Sequence, residues 1–264
     1  MATLTLDTPE LAGRYEDLSD KQYEHGKLLV RSLEIAPGSR VLDIGCGTGR
    51  LTEYVAGLVG DSGYVVGIDP LPLRIDIARR RSTSHLVFRV GQCEHLDDFP
   101  DHSFDVAYLN SVFHWLAEKL PALTAVHRVL KPGGRLGITS ASKERPHQFE
   151  TIVQAVLRQR PYQRAEQSAT TPYKVTSEEL AALLERAGFR VRSMEIRTFT
   201  DHFDSPRTVI EFSAASSFGN FLSDLPPDLR ASAILEIQAE LERHRRSQGI
   251  VLTRNLIFAV AERI

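Results

Sequence analysis

The sequence lacks most of the features that mark specialised protein classes. Only two of its 264 residues are cysteines, too few for a metal cluster or a disulfide scaffold, so a reducing compartment is expected. The formal net charge of −2 lacks the basic excess typical of nucleic-acid-binding domains. No run approaches the ~20 apolar residues of a membrane-spanning helix, and residues 1–10 lack the pattern of a signal peptide. These absences predict a soluble cytoplasmic protein with no metal, nucleic-acid or membrane partner.

What is present is an ordinary globular composition, 42% hydrophobic and 25% charged, with one unusual stretch at residues 41–50. Four residues of strand character lead into a turn with Gly45, Gly47 and Gly49, and helical spacing follows. Glycine permits positive φ and the close approach of a ligand, and a helix N-terminus presents unpaired N–H groups. The stretch therefore predicts a cofactor-binding loop or, on three glycines alone, only a tight turn.

The residues around this loop distinguish between two kinds of cofactor. A dinucleotide fingerprint has its third glycine three residues after the second, whereas this chain has Arg50 there. Asp43, two residues before the first glycine, would repel a pyrophosphate and attract an amino group. A dinucleotide therefore fits the loop poorly.

Predicted strands and helices continue to alternate past the loop. A second strand at 64–68 ends at Asp69, which is positioned to accept hydrogen bonds from two ribose hydroxyls. Further strands follow at 86–90 and 104–110. Ligands of doubly wound sheets bind at the carboxyl ends of such strands. The other residues expected at that edge include Pro70, Leu71, Gln92, Cys93 and Asn110.

These motifs resemble those of the class I S-adenosylmethionine-dependent methyltransferases. The first family motif, an acidic residue followed by G-x-G-x-G, matches residues 43–49, and the fourth strand matches at Phe104 and Asp105. An L-K-P-G-G turn at 130–134 also matches. In the loop after the third strand, family members often have Asp where this chain has Gln92.

The resemblance implies a fold, a cofactor and a set of binding residues. The expected fold is α/β, a Rossmann-like doubly wound seven-stranded sheet with an N-terminal helix and helical lid insertions. The expected cofactor is S-adenosyl-L-methionine, and the expected partner is a small-molecule methyl acceptor. The cofactor-binding residues that it implies are Asp43, Gly45, Cys46, Gly47, Gly49, Asp69, Pro70, Leu71, Gln92, Cys93, Asn110, Tyr15 and Tyr23.

Three regions are expected: an N-terminal helical cap, a cofactor-binding α/β core, and the rest of the core with its helical lids. These regions are residues 1–37, 38–142 and 143–264, with lid insertions at 143–172 and 205–246. In the first region, Tyr15 and Tyr23 either fold over the cofactor or simply pack with their hydroxyls in water. The protein is expected to be a monomer or a homodimer.

The acceptor side of the site is predicted from residue chemistry rather than from motifs. His114 is either a general base, since the histidine pKa is ordinarily near neutral, or a residue that packs under the lid. Phe113 and Trp115 are expected to shape an apolar substrate pocket or to stabilise a carbocation. A carboxylate acceptor needs only a cation to hold it, and Arg160 and Arg207 are the expected substrate-binding residues. The further arginine candidates are Arg145, Arg164 and Arg254.

The leading helix, the N-x-x-x-H-W element at 110–115 and the late insertion most resemble trans-aconitate and malonyl-carrier O-methyltransferases and their natural-product relatives. This resemblance predicts O-methylation of a carboxylate or hydroxyl. The alternatives are C-methylation of an isoprenoid or other natural product, N-methylation, a non-catalytic cofactor-binding domain and a nicotinamide oxidoreductase, which the glycine spacing disfavours. Arsenic methylation is disfavoured because Cys46 and Cys93 both lie in the expected cofactor loops.

Overall fold

One mixed β-sheet with helices on both faces makes up the fold, in a computed structural model that describes residues 3–162 and 173–264. The described strands are β1 (Arg40–Ile44), β2 (Tyr64–Asp69), β3 (Leu86–Val90), β4 (Phe104–Asn110), β5 (Leu130–Ala141), β6 (Phe189–Phe203), β7 (Arg245–Arg246) and β8 (Gly249–Arg263). The described α-helices are α1 (Pro9–Leu18), α2 (Asp20–Ser32), α3 (Arg50–Val59), α4 (Pro72–Ala78), α5 (Lys119–Val129), α6 (Gln148–Leu157), α7 (Ser177–Arg186), α8 (Pro206–Ser216) and α9 (Pro227–Glu242). Among these helices, none combines the length and the apolar character that crossing a membrane requires.

The strand order is β3-β2-β1-β4-β5-β8-β6, and the two-residue β7 pairs with β8. Strands β1 to β5 run parallel, whereas β8 is antiparallel to both of its neighbours. Successive side chains of a strand point to opposite faces, so Leu42 and Ile44 join one core cluster and Val41 joins the other. The predicted doubly wound sheet is confirmed, with seven long strands and the short β7 in addition.

The predicted N-terminal helix forms as two helices, α1 and α2, which meet at Ser19. The hydroxyl of Thr8 accepts a hydrogen bond from the Leu11 N–H and so caps α1. Helix α2 is attached to the sheet where the Asn110 side chain donates to the Gln22 carbonyl, at an N···O distance of 3.0 Å. This contact holds α1 and α2 above the carboxyl ends of β1 and β4.

Strands β6 and β8 extend well beyond the rest of the sheet. Strand β5 pairs with β8 only as far as Leu256, whereas β6 pairs with β8 down to Ile250. Helices α6, α8 and α9 pack against the overhanging ends in a third apolar cluster, and we call this assembly the helical cap. The cluster includes Ile152, Val156, Phe203, Val209, Phe212, Ile237, Leu241 and Leu252. The described parts of both predicted insertions thus contribute to one cap, while the region boundaries stay predictions.

Gly49 is expected to be required for stability. It precedes α3 with φ +85°, and an added Cβ would lie 2.8 Å from the Phe88 ring. Overpacking and the positive φ together should lower the free energy of unfolding of Gly49→Ala by about 1–3 kcal/mol in urea denaturation. The matched control is Gly57→Ala within α3, where a Cβ meets nothing within 4 Å, so helix propensity should raise stability by about 0.5–1 kcal/mol. Equal stability of both variants and the wild type would contradict this reading of Gly49.

Candidate active site

A cleft opens at the carboxyl ends of β1 to β4, the edge where the sequence predicts the cofactor. We call it the glycine-loop cleft, and its empty volume is about 1130 Å³. The predicted cofactor residues that line it are Tyr15, Gly45, Gly47, Asp69, Pro70, Leu71, Gln92, Cys93 and Asn110. A smaller cavity, the Asp43 cavity, shares part of this wall. Its lining includes the predicted residues Tyr23, Asp43 and Cys46.

The three glycines of the loop have different roles. Gly45 has φ +75°, and an added Cβ would lie 2.2 Å from a methyl group of Val112, so the loop packs tightly under the chain that follows β4. Gly47 has φ +56°, and an added Cβ would lie 3.1 Å from the Tyr15 ring, which covers the loop. Gly49 lines neither cavity, because it faces Phe88. The prediction that Gly49 borders the cofactor is therefore corrected to a packing role.

Asp69 connects the loops after β1 and β2. Its carboxylate accepts hydrogen bonds from the Gly47 N–H at 2.8 Å and the Leu71 N–H at 2.9 Å. Burial raises the pKa of Asp69, although the Arg74 guanidinium and the two N–H donors oppose the shift. A carboxylate has about four lone-pair sites, so Asp69 retains acceptor capacity for hydroxyl groups of a ligand in the cleft.

Asp43 is a buried residue of β1 and carries a carboxyl group with two hydroxyl partners. The Thr52 and Tyr108 hydroxyls both donate to its Oδ2, at 2.7 and 2.8 Å. Burial raises the pKa of Asp43 to about 7, and these two hydrogen bonds only partly oppose the shift. In the same cavity, Gln22 Oε1 is buried without a hydrogen-bond partner in the described chain. The Asp43 cavity is therefore suited to a group that donates hydrogen bonds and carries positive charge.

Arg74 is a cleft residue that the sequence reasoning missed. Its guanidinium lies 4.2 Å from the Tyr15 ring centroid and donates to the Ala215 carbonyl at 2.7 Å. It also pairs with Asp7 at 3.4 Å, and both side chains are buried. One buried cation thus attaches the N-terminal segment and α1 to α4 and α8 beside the cleft. Its only signal in the sequence was a position in a basic helix.

A second large cavity, the cap cavity, lies between the helical cap and the sheet and has an empty volume of about 930 Å³. Tyr15, Ser111 and Trp115 line both this cavity and the glycine-loop cleft, so the two adjoin. Its aromatic wall consists of Tyr15, Trp115, Phe149, Phe203 and Phe212. Its polar wall includes Gln22, His114, His147, Glu150, Asp201 and Arg254.

His114 lines the cap cavity as predicted but lacks the properties of a general base. Its Nδ1 accepts a hydrogen bond from the Ala141 N–H at 3.1 Å, so the neutral ring carries its proton on Nε2. Burial, with Lys119 and Lys174 nearby, lowers the pKa of His114 to about 3. Because the free nitrogen already bears a hydrogen, the structure contradicts the prediction of a base and makes His114 a hydrogen-bond donor.

The predicted substrate residues separate into two groups. Trp115 lines both large cavities, whereas Phe113 is fully buried in the core of the sheet and lines neither. Arg207 is 78% exposed in its side chain and pairs with Glu211 on the outer surface of α8. Arg160 is exposed in the turn after α6 and also lines neither cavity. Contrary to the prediction, these three residues lie outside both cavities, because Phe113 packs into the core and the two arginines extend into solvent.

The remaining arginine candidates differ in the same way. Arg145 is exposed and lines neither large cavity, and Arg164 lies outside the described residues. Arg254 lines the cap cavity and contacts Asp201 Oδ2 through Nε at 2.7 Å and Nη2 at 2.6 Å. The sequence reasoning missed Asp201, although alternation along β6 places it on the same face as Phe203. No pattern in the sequence indicated His147 or Glu150.

Comparison with known proteins identifies the part of the chain that holds the cleft. Residues 42–138 match a family described as methyltransferase domain, a range that runs from β1 into β5. The chain is 34% identical over 119 residues to demethylmenaquinone methyltransferase of Symbiobacterium thermophilum, covering 43% of this chain and 47% of that protein. It is 29% identical over 191 residues to arsenite methyltransferase of Halobacterium salinarum, covering 69% of this chain and 46% of that protein. The chain thus spans about half the length of these relatives.

A solved structure of an S-adenosylmethionine-dependent methyltransferase from Aquifex aeolicus has a similar fold. The TM-score is 0.55 at 23% identity, over 71% of this chain and 91% of that chain. The finer resemblance to trans-aconitate and malonyl-carrier O-methyltransferases stays a prediction. Residues 42–138 therefore form a methyltransferase domain, within a fold like that of an S-adenosylmethionine-dependent methyltransferase.

Proposed function

We propose that this protein transfers a methyl group from S-adenosyl-L-methionine to a small molecule bound in the cap cavity. The observation that carries the proposal is that the glycine-loop cleft and the cap cavity share a wall, which includes Tyr15, Ser111 and Trp115. One contains the glycine loop and Asp69, and the other is enclosed by the helical cap. Transfer between two bound molecules depends chiefly on holding them in line, and two cavities with a common wall provide that arrangement.

The residues of the glycine-loop cleft fit this cofactor. A side chain at Gly47 would crowd the Tyr15 ring above the loop, and Asp69 retains acceptor capacity for ribose hydroxyls. Leu71 and Gln92 line the same cleft and suit the apolar faces and the amino edge of an adenine. Asp43 and the unpaired Gln22 Oε1 suit an ammonium group.

Each part of the chain has a separate task in the proposed reaction. When bound, S-adenosyl-L-methionine supplies a methyl group on a positively charged sulfur. Tyr15 covers the loop and excludes water from the cleft, while Trp115 borders both cavities and orients the acceptor. His114 donates a hydrogen bond from Nε2 to the acceptor. In the cap cavity, Asp201 and Glu150 are the carboxylates that can accept a proton from a hydroxyl.

The cap cavity favours a hydroxyl acceptor over a carboxylate. Among the described residues one arginine lines it, Arg254, and Asp201 already holds this side chain, with side-chain exposures of 13% and 6%. O-methylation of a hydroxyl is therefore the leading candidate. C-methylation is the second candidate, because quinone-pathway C-methyltransferases are among the relatives, at 36% identity over 113 residues.

Arsenite methylation is not proposed, although one relative has that name. Cys46 lines the Asp43 cavity, and Cys93 lines the glycine-loop cleft and contacts the Ala122 carbonyl. Burial raises the pKa of both thiols. Among the described residues, no group of three His, Cys, Asp or Glu side chains is arranged to hold a metal.

Gly47→Arg is expected to abolish cofactor binding, because the new side chain fills the cradle under Tyr15. The measurement is calorimetric titration with S-adenosylhomocysteine. The matched control is Gly133→Arg, which also replaces a glycine of positive φ, +74°, but where a Cβ meets nothing within 4 Å. Gly133 lies at the amino end of β5, away from the cleft, so the control should keep wild-type affinity. Wild-type affinity in Gly47→Arg would refute the assignment of the loop.

Cofactor affinity is expected to depend on pH through Asp43. Since burial raises the pKa of Asp43 to about 7, its carboxyl is largely protonated in the free protein at lower pH. The ammonium group needs the ionised form, so affinity for S-adenosylhomocysteine should fall by up to about tenfold per pH unit as pH decreases below 7. Asp43→Asn should bind weakly and without this dependence. A wild-type affinity that is constant between pH 5.5 and 7.5 would contradict the role of Asp43.

A further inference from the structure

Two histidines from different parts of the chain line the cap cavity with the same tautomer. His114 follows β4, and its Nδ1 accepts from the Ala141 N–H at 3.1 Å. His147 precedes α6, and its Nδ1 accepts from the Asn255 N–H, also at 3.1 Å. A backbone N–H can only donate, so each ring must carry its hydrogen on Nε2.

The two Nε2–H groups are available to a ligand. Neither has a hydrogen-bond partner within residues 3–162 and 173–264, and neither is enclosed by the protein. Burial lowers the pKa of both imidazoles, so they stay neutral donors at physiological pH. The cavity therefore presents two fixed, uncharged N–H donors to whatever it binds.

The charged side chains of the cavity are already matched in pairs. Asp201 holds Arg254 through two contacts to one oxygen. Glu150, which is buried, pairs with Lys174. An anionic ligand would compete with Asp201 for Arg254 and would face Glu150, and a cation would meet carboxylates that are already neutralised. Burying an unpaired charge is costly, so the cavity disfavours charged ligands of either sign.

Much of the remaining wall is aromatic or aliphatic. The side chains that form this part are Trp115, Phe149, Phe203, Val209, Phe212, Leu252 and Leu256, and the hydroxyl groups beside them belong to Tyr15, Ser111, Ser213, Ser216, Ser217 and Thr253. Flat aromatic faces favour stacking on a ring. An apolar wall with a few fixed polar groups is typical of sites that select one orientation of a largely hydrophobic ligand.

We propose that the acceptor is an uncharged ring compound with a carbonyl oxygen, which accepts a hydrogen bond from Nε2–H of His114 or His147. This inference rests on the proposed function, because it identifies the chemical class bound at the acceptor side of the same site. A carbonyl oxygen matches the two donors, and the ring matches the aromatic wall. A carboxylate is rejected because Arg254, the one arginine that lines the cavity within the described part of the chain, is held by Asp201.

The test compares two ligands of similar size and shape, one neutral and one negatively charged at the group facing the histidines. They are 1-hydroxy-2-acetonaphthone, a neutral hydroxy-ketone, and 1-hydroxy-2-naphthoate, the corresponding acid. The chain has a single tryptophan, Trp115, which lines both this cavity and the glycine-loop cleft. Quenching of its fluorescence that persists when S-adenosylhomocysteine is bound therefore reports binding in the cap cavity. The ketone should bind at least about tenfold more tightly than the acid, which corresponds to about 1.4 kcal/mol.

Variants of His147 test the donor directly. His147→Leu should weaken ketone binding at least about fivefold, whereas His147→Gln, which keeps an N–H donor, should recover part of that loss. The matched control is His202→Leu. His202 is exposed on one face of β6, whereas its neighbours Asp201 and Phe203 lie on the other face and line the cavity. This control should bind both ligands as the wild type does. Thermal unfolding of each variant separates lost contacts from lost folding.

The outcomes distinguish this inference from the proposed function. Titrations run with and without S-adenosylhomocysteine, whose own affinity is measured by calorimetry. If the wild-type protein does not bind S-adenosylhomocysteine but still prefers the ketone, the proposed function is refuted and the inference is supported. Three results would overturn the inference. They are equal or tighter binding of the acid, no binding of either ligand, and full ketone affinity in a variant that replaces both His114 and His147.

Discussion

The hydrogen bonds that Asp69 accepts from Gly47 and Leu71 determine the shape of the site. They connect the loop after β1 to the loop after β2, and each is 2.8–2.9 Å long. A buried carboxylate is stable only when it is hydrogen-bonded or paired, so these two N–H groups and the nearby Arg74 are what permit Asp69 to lie there. The glycine loop then has one conformation, with Gly47 directly beneath Tyr15. Arg74 continues the connection to Asp7 and α8, so the floor and the cover of the cleft share one buried network.

The acceptor side depends on a different constraint, the length of β6 and β8. These strands pair for several residues beyond the end of β5, and their overhang must bury apolar side chains against something other than the main sheet. Helices α6, α8 and α9 supply that surface. The cap cavity is the space left between this second core and the first, which explains why its wall combines aromatic residues with paired charges. Different parts of the chain therefore form the two cavities: the loops after β1 and β2 form the glycine-loop cleft, and the overhang of β6 and β8 with its helices forms the cap cavity.

Much of the cofactor side could be predicted from sequence, because it is encoded locally. A glycine turn after an apolar strand, and a carboxylate at the tip of the next strand, determine positions along the chain that the parallel sheet then brings together. Gly49 was the exception. Its lack of a side chain leaves room for the Phe88 ring, and the spacing of the glycines alone does not reveal that contact. The single N-terminal helix that the resemblance implies forms instead as two helices, α1 and α2, which meet at Ser19.

The acceptor side could not be read in the same way. Which of several arginines enters the cavity depends on the helical cap, and packing leaves Arg160 and Arg207 in solvent while it directs Arg254 inward. His114 reaches the predicted location, but a backbone N–H from β5 determines its tautomer and so reverses its expected chemistry. Phe113 is adjacent to two site residues, yet it turns into the core. Alternation along β6 contained the signal for Asp201 and Phe203, because both belong to the face that the cap covers.

The most direct test of the central claim is calorimetric titration of the purified protein with S-adenosylmethionine, S-adenosylhomocysteine and NADH in parallel. All three carry adenosine, but only the first two bring an ammonium group to Asp43, and only NADH brings a pyrophosphate to the glycine loop. We expect saturable binding of both adenosyl compounds and none of NADH. Binding of NADH alone would contradict the proposed cofactor.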